Sequence, residues 1–242
     1  MRETDKDFEF LKIFIEDYNL RAIGQNTSHL KDVKTAHKSY FSFLQFWSVC
    51  LNEANKKSFS IFNRQIPIET QEFLHLRESV SDVGSGLFCC LHGAYKPGYM
   101  ALRSSIENYL RFSSGIFDGN AITTTSVYEL FDIAKKIELF SNGRKTYLQH
   151  LRCSYIELCK YSHSASLNHM SGIHALDYFP TFDTQSFQSW LTLAKKCMTA
   201  MVTVTMLGNQ NMYLKAHFNT RELIDLLIPK AERITILGGK KI

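Results

Sequence analysis

The stretch Leu87-Phe-Cys-Cys-Leu91-His92-Gly93-Ala94-Tyr95-Lys96-Pro97-Gly98-Tyr-Met-Ala-Leu-Arg103 decides the fold. Upstream of it, Phe73, Leu76, Val80, Val83, Leu87 and Leu91 recur at the three- and four-residue steps of one helix face. The spacing predicts a helix that opens with Pro67 in its first turn, where a missing N–H is tolerated, and ends at Leu91. Gly93 to Lys96 turns the chain, Pro97 is again acceptable in a first turn, and a further helix follows over 98–114. Two helices joined by so short a turn form an αα-hairpin. Gly84 and Gly86 weaken helix propensity but let a neighbouring helix come close.

Working outward, Phe8, Leu11, Ile15 and Tyr18 predict a first amphipathic helix near 5–22, ended by Gly24. A second starts at a Thr27-Ser28 cap and carries Leu30, Val33, Tyr40, Phe41, Leu44, Trp47, Cys50 and Leu51 on a wide apolar stripe. Ser58 to Ile66, with Phe59, Ile61 and an Asn63 break, reads as a short strand or an irregular connection. Beyond the hairpin, helices are predicted near 125–140, 144–161, 184–216 and 220–228. Asp183 caps the third of these; Thr220 caps the fourth, which Pro229 closes. Ser162 to Thr181 reads as a polar, His-rich loop, and 235–242, with Gly238 and Gly239, as a flexible tail. No repeat or low-complexity linker interrupts the pattern. The expectation is one domain over 1–242, an all-α bundle of about seven or eight helices with the second and seventh central.

Composition points the same way. Four Pro and 12 Gly against 18 Phe and 11 Tyr give little turn material and much aromatic core, which excludes a β-sandwich. The +5 formal charge is spread without a basic block, so it permits RNA or phosphate contact without implying it. Cys50, Cys89, Cys90, Cys153, Cys159 and Cys197 lie in apolar periodic segments and no secretory signal opens the sequence, which predicts a reduced, cytoplasmic setting. Cys197 to Leu214 is the longest uncharged run, but Thr203, Thr205, Asn209, Gln210 and Asn211 interrupt it; it reads as a buried helix, not a membrane span.

Three sets of residues carry possible chemistry. Arg103 and Glu107 share one helix face at four-residue spacing, beside a face that Met100, Leu102, Ile106 and Leu110 mark as buried; they read as a functional pair or an inter-helix clasp. Tyr161-Ser162-His163 ends another helix, where the macrodipole favours imidazolium; the histidine is placed to carry a proton, to donate to a phosphate or to cap its own helix. Arg144 and His150 are a weaker Arg/His set, because six helical steps put the side chains about 120° apart. Cys159, His163, His169 and His174 match no zinc spacing, so no metal is expected. No dinucleotide, P-loop, hydrolase or kinase motif occurs, so no cofactor is expected.

The Arg103-x-x-x-Glu107 helix followed by Tyr155-x-x-Leu158-Cys159-x-Tyr161-x-His163, with Leu76 to Asp82 and His92 to Lys96, resembles bacterial helical domains related to the HEPN superfamily. Many of these lie beside phage-defence or toxin genes. The resemblance covers the central third of the chain. It implies a HEPN-like fold and a metal-independent endoribonuclease, in which an arginine four to six residues before a histidine holds the phosphate. No arginine stands there before His163, so on this resemblance Arg103 would hold the phosphate, Glu107 orient it and His163 act as acid and base. HEPN-like domains also pair around a shared groove, which implies a homodimer. Phe8, Phe10, Phe14, Phe41, Phe43 and Phe46 occupy more than one face of the first two helices; Phe10 and Phe43 should be covered by another chain or by the seventh helix. Two expectations therefore stand: an RNA-cleaving component of a defence or toxin system, or a catalytically silent helical module that binds a protein partner or itself.

Overall fold

The α4–α5 hairpin is where the chain packs most closely, and its glycines are the reason. In this computed structural model, which describes residues 2–17, 21–170 and 182–238, α4 spans Gln71–Leu91 and α5 Tyr95–Gly115. A Cβ at Gly98 would sit 2.5 Å from Cys90 Sγ and 3.1 Å from the Gly86 carbonyl, so only glycine allows this approach. Ser79 and Ser105, both buried, exchange hydrogen bonds with each other's carbonyls at 2.9 and 2.7 Å, and Trp190 Nε1 donates to the Gly98 carbonyl. The polar groups that a close crossing buries are thereby satisfied.

The described residues are all-α apart from one small sheet. Before the hairpin come α1 (Glu3–Asp17), α2 (Arg21–Gly24), α3 (Thr27–Asn55), β1 (Ser60–Ile61) and β2 (Arg64–Gln65); after it come α6 (Asn120–Thr123), α7 (Val127–Ala134) and α8 (Lys145–Ser162). Helices α9 (Thr184–Gly208), α10 (Gln210–Lys215), α11 (Phe218–Ile224) and α12 (Lys230–Leu237) complete the order. Helix α9 is central as expected, touching α3, α4, α5, α8, α10 and α12. Helix α3, also expected to be central, touches α1, α2, α4, α9, α10 and α11, and α5 joins them between α4, α7, α8 and α9. The buried apolar side chains form one connected core, with Phe43, Phe46, Phe59, Phe73, Phe112, Phe187 and Trp190 at its centre.

Several boundaries differ from the sequence expectation, each for a local reason. Asn26, not Thr27-Ser28, caps α3, its side chain accepting from the Ser28 and His29 amides. Thr70 caps α4, and Pro67 precedes it in a turn whose carbonyl takes the Thr70 hydroxyl. Ser58 to Ile66 is an antiparallel hairpin pairing Ser60 with Gln65 and Ile61 with Arg64; Phe62 and Asn63, at φ 46° and 64°, make its turn. The helix expected over 125–140 stops at Ala134 and continues as 3-10 turns at Glu138–Phe140 and Asn142–Arg144. The one over 184–216 breaks at Asn209, whose amide donates to Ser60 and whose side-chain oxygen caps α10. Asp183 caps α9 as expected, whereas His217 rather than Thr220 caps α11.

The helix expected over 220–228 stops at Ile224, and Pro229, expected to close it, precedes and caps α12. Helix α12 buries Ile236, so the expected tail over 235–242 starts later than its first residues; 239–242 lie outside the described residues. Of the polar loop 162–181, the part to Met170 is described and contains a 3-10 turn at Leu167–His169; 171–181, with His174, lie outside. Thr203 and Thr205 are buried in α9 and bond to the carbonyls of Leu227 and Met201, which accounts for the polar breaks in that uncharged run. Among the described residues no helix is long and apolar enough to cross a membrane.

Candidate functional site

Helix α5 presents a half-buried polar ridge, and its two sides meet different helices. On the α8 side, Arg103 Nε lies 3.2 Å from Glu107 Oε1 and donates to the Tyr155 hydroxyl at 3.0 Å. That hydroxyl donates to Glu107 at 3.1 Å, closing a triangle, and the guanidinium lies over the Tyr155 ring, 5.2 Å from its centre. Burial opposes the Arg103 charge, but the Tyr155 hydroxyl and Glu107 outweigh it and hold the group charged. Burial pushes the Tyr155 phenol well above its ordinary range, so it stays a donor to Glu107.

His163 is not in this triangle. It is exposed and forms the C-cap of α8, its amide bonding to the Cys159 and Tyr161 carbonyls. Eight residues separate it from Tyr155, roughly 12 Å along the helix axis. The expected meeting of Arg103, Glu107 and His163 is therefore replaced by Arg103, Glu107 and Tyr155. Ser162 is also turned inward on its own helix, donating to the Leu158 carbonyl.

The Arg144/His150 set does not converge either. Arg144 is 3% exposed and folds back to donate to the carbonyls of Leu139 and Glu138 and to the Ser141 hydroxyl, clamping the 3-10 turns before α8. Burial holds its pKa below the usual value. His150 stands edge-on to Tyr147 and faces α9, where burial and then Lys196 lower its pKa. Among the described residues no group of three or more His, Cys, Asp or Glu is placed to hold a metal. Cys90 packs under Gly98, and burial pushes its thiol well up, the environment of an inert side chain.

On the α4 side of the same ridge, Asn108 donates to Asp82 at 2.9 Å and its carbonyl oxygen lies 2.8 Å from His75 Nδ1. Burial raises the Asp82 pKa against its hydrogen bonds from Ser104 and Asn108. Sequence spacing did not flag this chain because its members come from two helices at unrelated positions.

Where α5 begins, a cavity of about 500 Å³ opens between its first turn, the end of α8 and the first turn of α9. Tyr99 and Tyr161 stack there with ring centres 3.8 Å apart, His169 stands edge-on to Tyr161, and Lys96 Nζ donates to the Ser164 hydroxyl. Tyr95 ties the two helix starts together, accepting from the Asp183 amide at 2.7 Å and donating to its carbonyl. The turn after Leu91 and the Asp183 cap are legible in the sequence, but α5 starts at Tyr95, inside the expected Gly93–Lys96 turn, and nothing in the sequence shows that the two sites adjoin. With this geometry in hand, comparison with family models, with curated proteins and with solved structures gives no match to the chain.

Proposed function

We propose that this chain is a HEPN-like component of a bacterial defence or toxin system that works in the cytoplasm by pairing with a protein surface, a second copy of itself first, rather than by cutting RNA. One observation carries this reading. Arg103, the residue the resemblance would assign to the phosphate, is held by Glu107 and Tyr155 while His163 is exposed about two helical turns away. A phosphate holder and a proton carrier must share one site to act on one bond. The triangle has the form of a clasp, in which each charged or polar group finds its partner within the fold.

The pairing surface lies on the first two long helices. Phe43 is fully buried within the chain, but Phe10 is 71% exposed and, with Leu11, Phe41, Leu44 and Leu87, lines an apolar groove between α1, α3 and α4. An apolar groove with so exposed a ring fits a contact with another chain. The six cysteines are free thiols, which fits a reducing compartment.

Two measurements test the reading. Incubation of RNA in chelator with wild type and with His163→Ala should leave it intact in both; chelator-resistant cleavage lost in the variant would refute the silent module. Light scattering at micromolar concentration should give a dimer that Phe10→Ser weakens, and a monomeric wild type refutes the pairing.

A further inference from the structure

We infer that the cavity at the start of α5 binds a phosphate monoester carried on a nucleoside-sized body. This goes beyond the pairing role and shares no residue with the groove at Phe10.

Charge points to an anion. Lys96 is half-buried, its ammonium donates to a neutral hydroxyl, Ser164 Oγ, at 2.9 Å, and among the described residues no carboxylate pairs with it. A partly desolvated cation without a counter-charge favours an anion beside it. Among the described residues none that lines the cavity is acidic; they include Lys96, His169, Gln185 and Ser186, whose polar groups come from α5, the turn after α8 and α9. Two described carboxylates on the flanking elements are already engaged. Asp183 accepts from the Ser186 amide at 2.7 Å, and Glu157 holds Lys160 at 2.6 Å with His169 Nε2 at 3.9 Å.

The shape fits a larger ligand. A space of about 500 Å³ is within the range of small-ligand sites and exceeds what a bare phosphate fills. The half-buried Tyr95 and Tyr161 give its wall aromatic area; Tyr161 is backed by the buried Tyr99, whose hydroxyl donates to the Ser186 carbonyl at 3.3 Å, and the Tyr95 hydroxyl is tied to Asp183. Rings locked in this way are a pre-formed surface, so a planar base lying on them loses little to reorganisation. A cation with donors at one side and fixed aromatic edges at the other fits a 5′-nucleotide, whether free or as the end of an RNA strand.

Calorimetry on the full chain separates the possibilities, with adenosine 5′-monophosphate, adenosine and inorganic phosphate as probes, and an RNA oligonucleotide with and without a 5′-phosphate. The monophosphate should bind, and Lys96→Gln should weaken it about tenfold, or about 1.4 kcal/mol, while Lys96→Arg retains it. Gln185→Glu, an exposed change in the first turn of α9 that leaves the fold untouched, should weaken it similarly by placing a carboxylate on the lining. If the 5′-phosphorylated RNA binds like the monophosphate and its 5′-hydroxyl twin does not, the source is an RNA end; if neither RNA binds, it is the free nucleotide. Equal affinity for adenosine and its monophosphate, inorganic phosphate binding as tightly as the monophosphate, indifference to both charge changes, or no binding in any arm overturns the inference. These readouts do not depend on the oligomeric state, so failure of the pairing reading leaves them interpretable.

Discussion

Helix α5 meets α4 and α8 through opposite kinds of residue. Toward α4, Gly98, Gly86, Ser79 and Ser105 bring the two backbones close together, and the seam at these residues is closed. Toward α8, Tyr99, Arg103, Tyr155 and Tyr161 span the gap with long side chains, so the helices stand a side chain apart. Close-packed interiors leave no space where small residues meet. A seam built of rings and guanidinium groups closes only where each is partnered, and beyond Tyr99 and Tyr161 it opens into the cavity at Lys96. The hairpin thus supplies rigidity, and the α5–α8 side supplies the accessible polar chemistry.

The sharpest way to break this contrast is to enlarge the closed side. Gly98→Ala drives a methyl to 2.5 Å from Cys90 Sγ and 3.1 Å from a backbone carbonyl that does not yield easily. Overpacking of this kind should destabilise the protein by about 1–3 kcal/mol. Adding Cys90→Ala should return part of the loss, because it removes the nearer obstacle, and the two changes should couple in thermal melts. A Gly98→Ala protein that melts with the wild type would show that the hairpin is looser than its glycines imply.

The α8 side should respond to charge rather than volume. Glu107→Ala leaves the Arg103 guanidinium, about three-quarters buried, without its counter-charge and the Tyr155 hydroxyl without its acceptor. The expected cost in urea unfolding is about 1–2 kcal/mol, below that of a fully buried orphaned charge because water still reaches the pair. Replacing all three members with Arg103→Met, Glu107→Leu and Tyr155→Phe should restore much of it, since apolar replacements leave no orphan. A Glu107→Ala protein as stable as wild type would reduce the triangle to a surface contact.

These two seams also show what was legible beforehand. The hairpin followed from periodicity at Phe73 to Leu91 and the turn at Gly93, and the Arg103–Glu107 pair from four-residue spacing, because both are local. Tyr155 was overlooked as the third member because its position was read as part of a helix-end motif leading to His163, and only the antiparallel packing of α8 on α5 sets it opposite Arg103. Cap positions slipped by a residue or three at Asn26, Thr70 and His217, where neighbouring Asn, Thr, Ser or His side chains compete for the same amides. Arg144 gave no signal of turning back to Glu138 and Leu139, since that depends on two 3-10 turns the periodicity does not register.

The smallest expected effect tests the α4 side through pH. Asp82 lies between the hairpin helices; burial raises its pKa, Glu78 and Glu107 add to this, and the Ser104 and Asn108 hydrogen bonds oppose it. A carboxyl whose folded pKa is above its unfolded one binds its proton more tightly when folded. Its contribution to stability is therefore full below the ordinary value of 3.8 and is lost as pH rises through the raised folded value. Asp82→Asn keeps an oxygen for the Asn108 donor and removes the titration. The difference in unfolding free energy between variant and wild type should thus move in the variant's favour as pH is raised across this window, and then level off. The step should be modest, because about half of the group remains in contact with solvent and its charge is screened. Stability of the wild type that instead rises through this window, relative to the variant, would mean that the Asn108 and Ser104 hydrogen bonds outweigh burial, and the α4 side would then hold a stabilised carboxylate rather than a strained one.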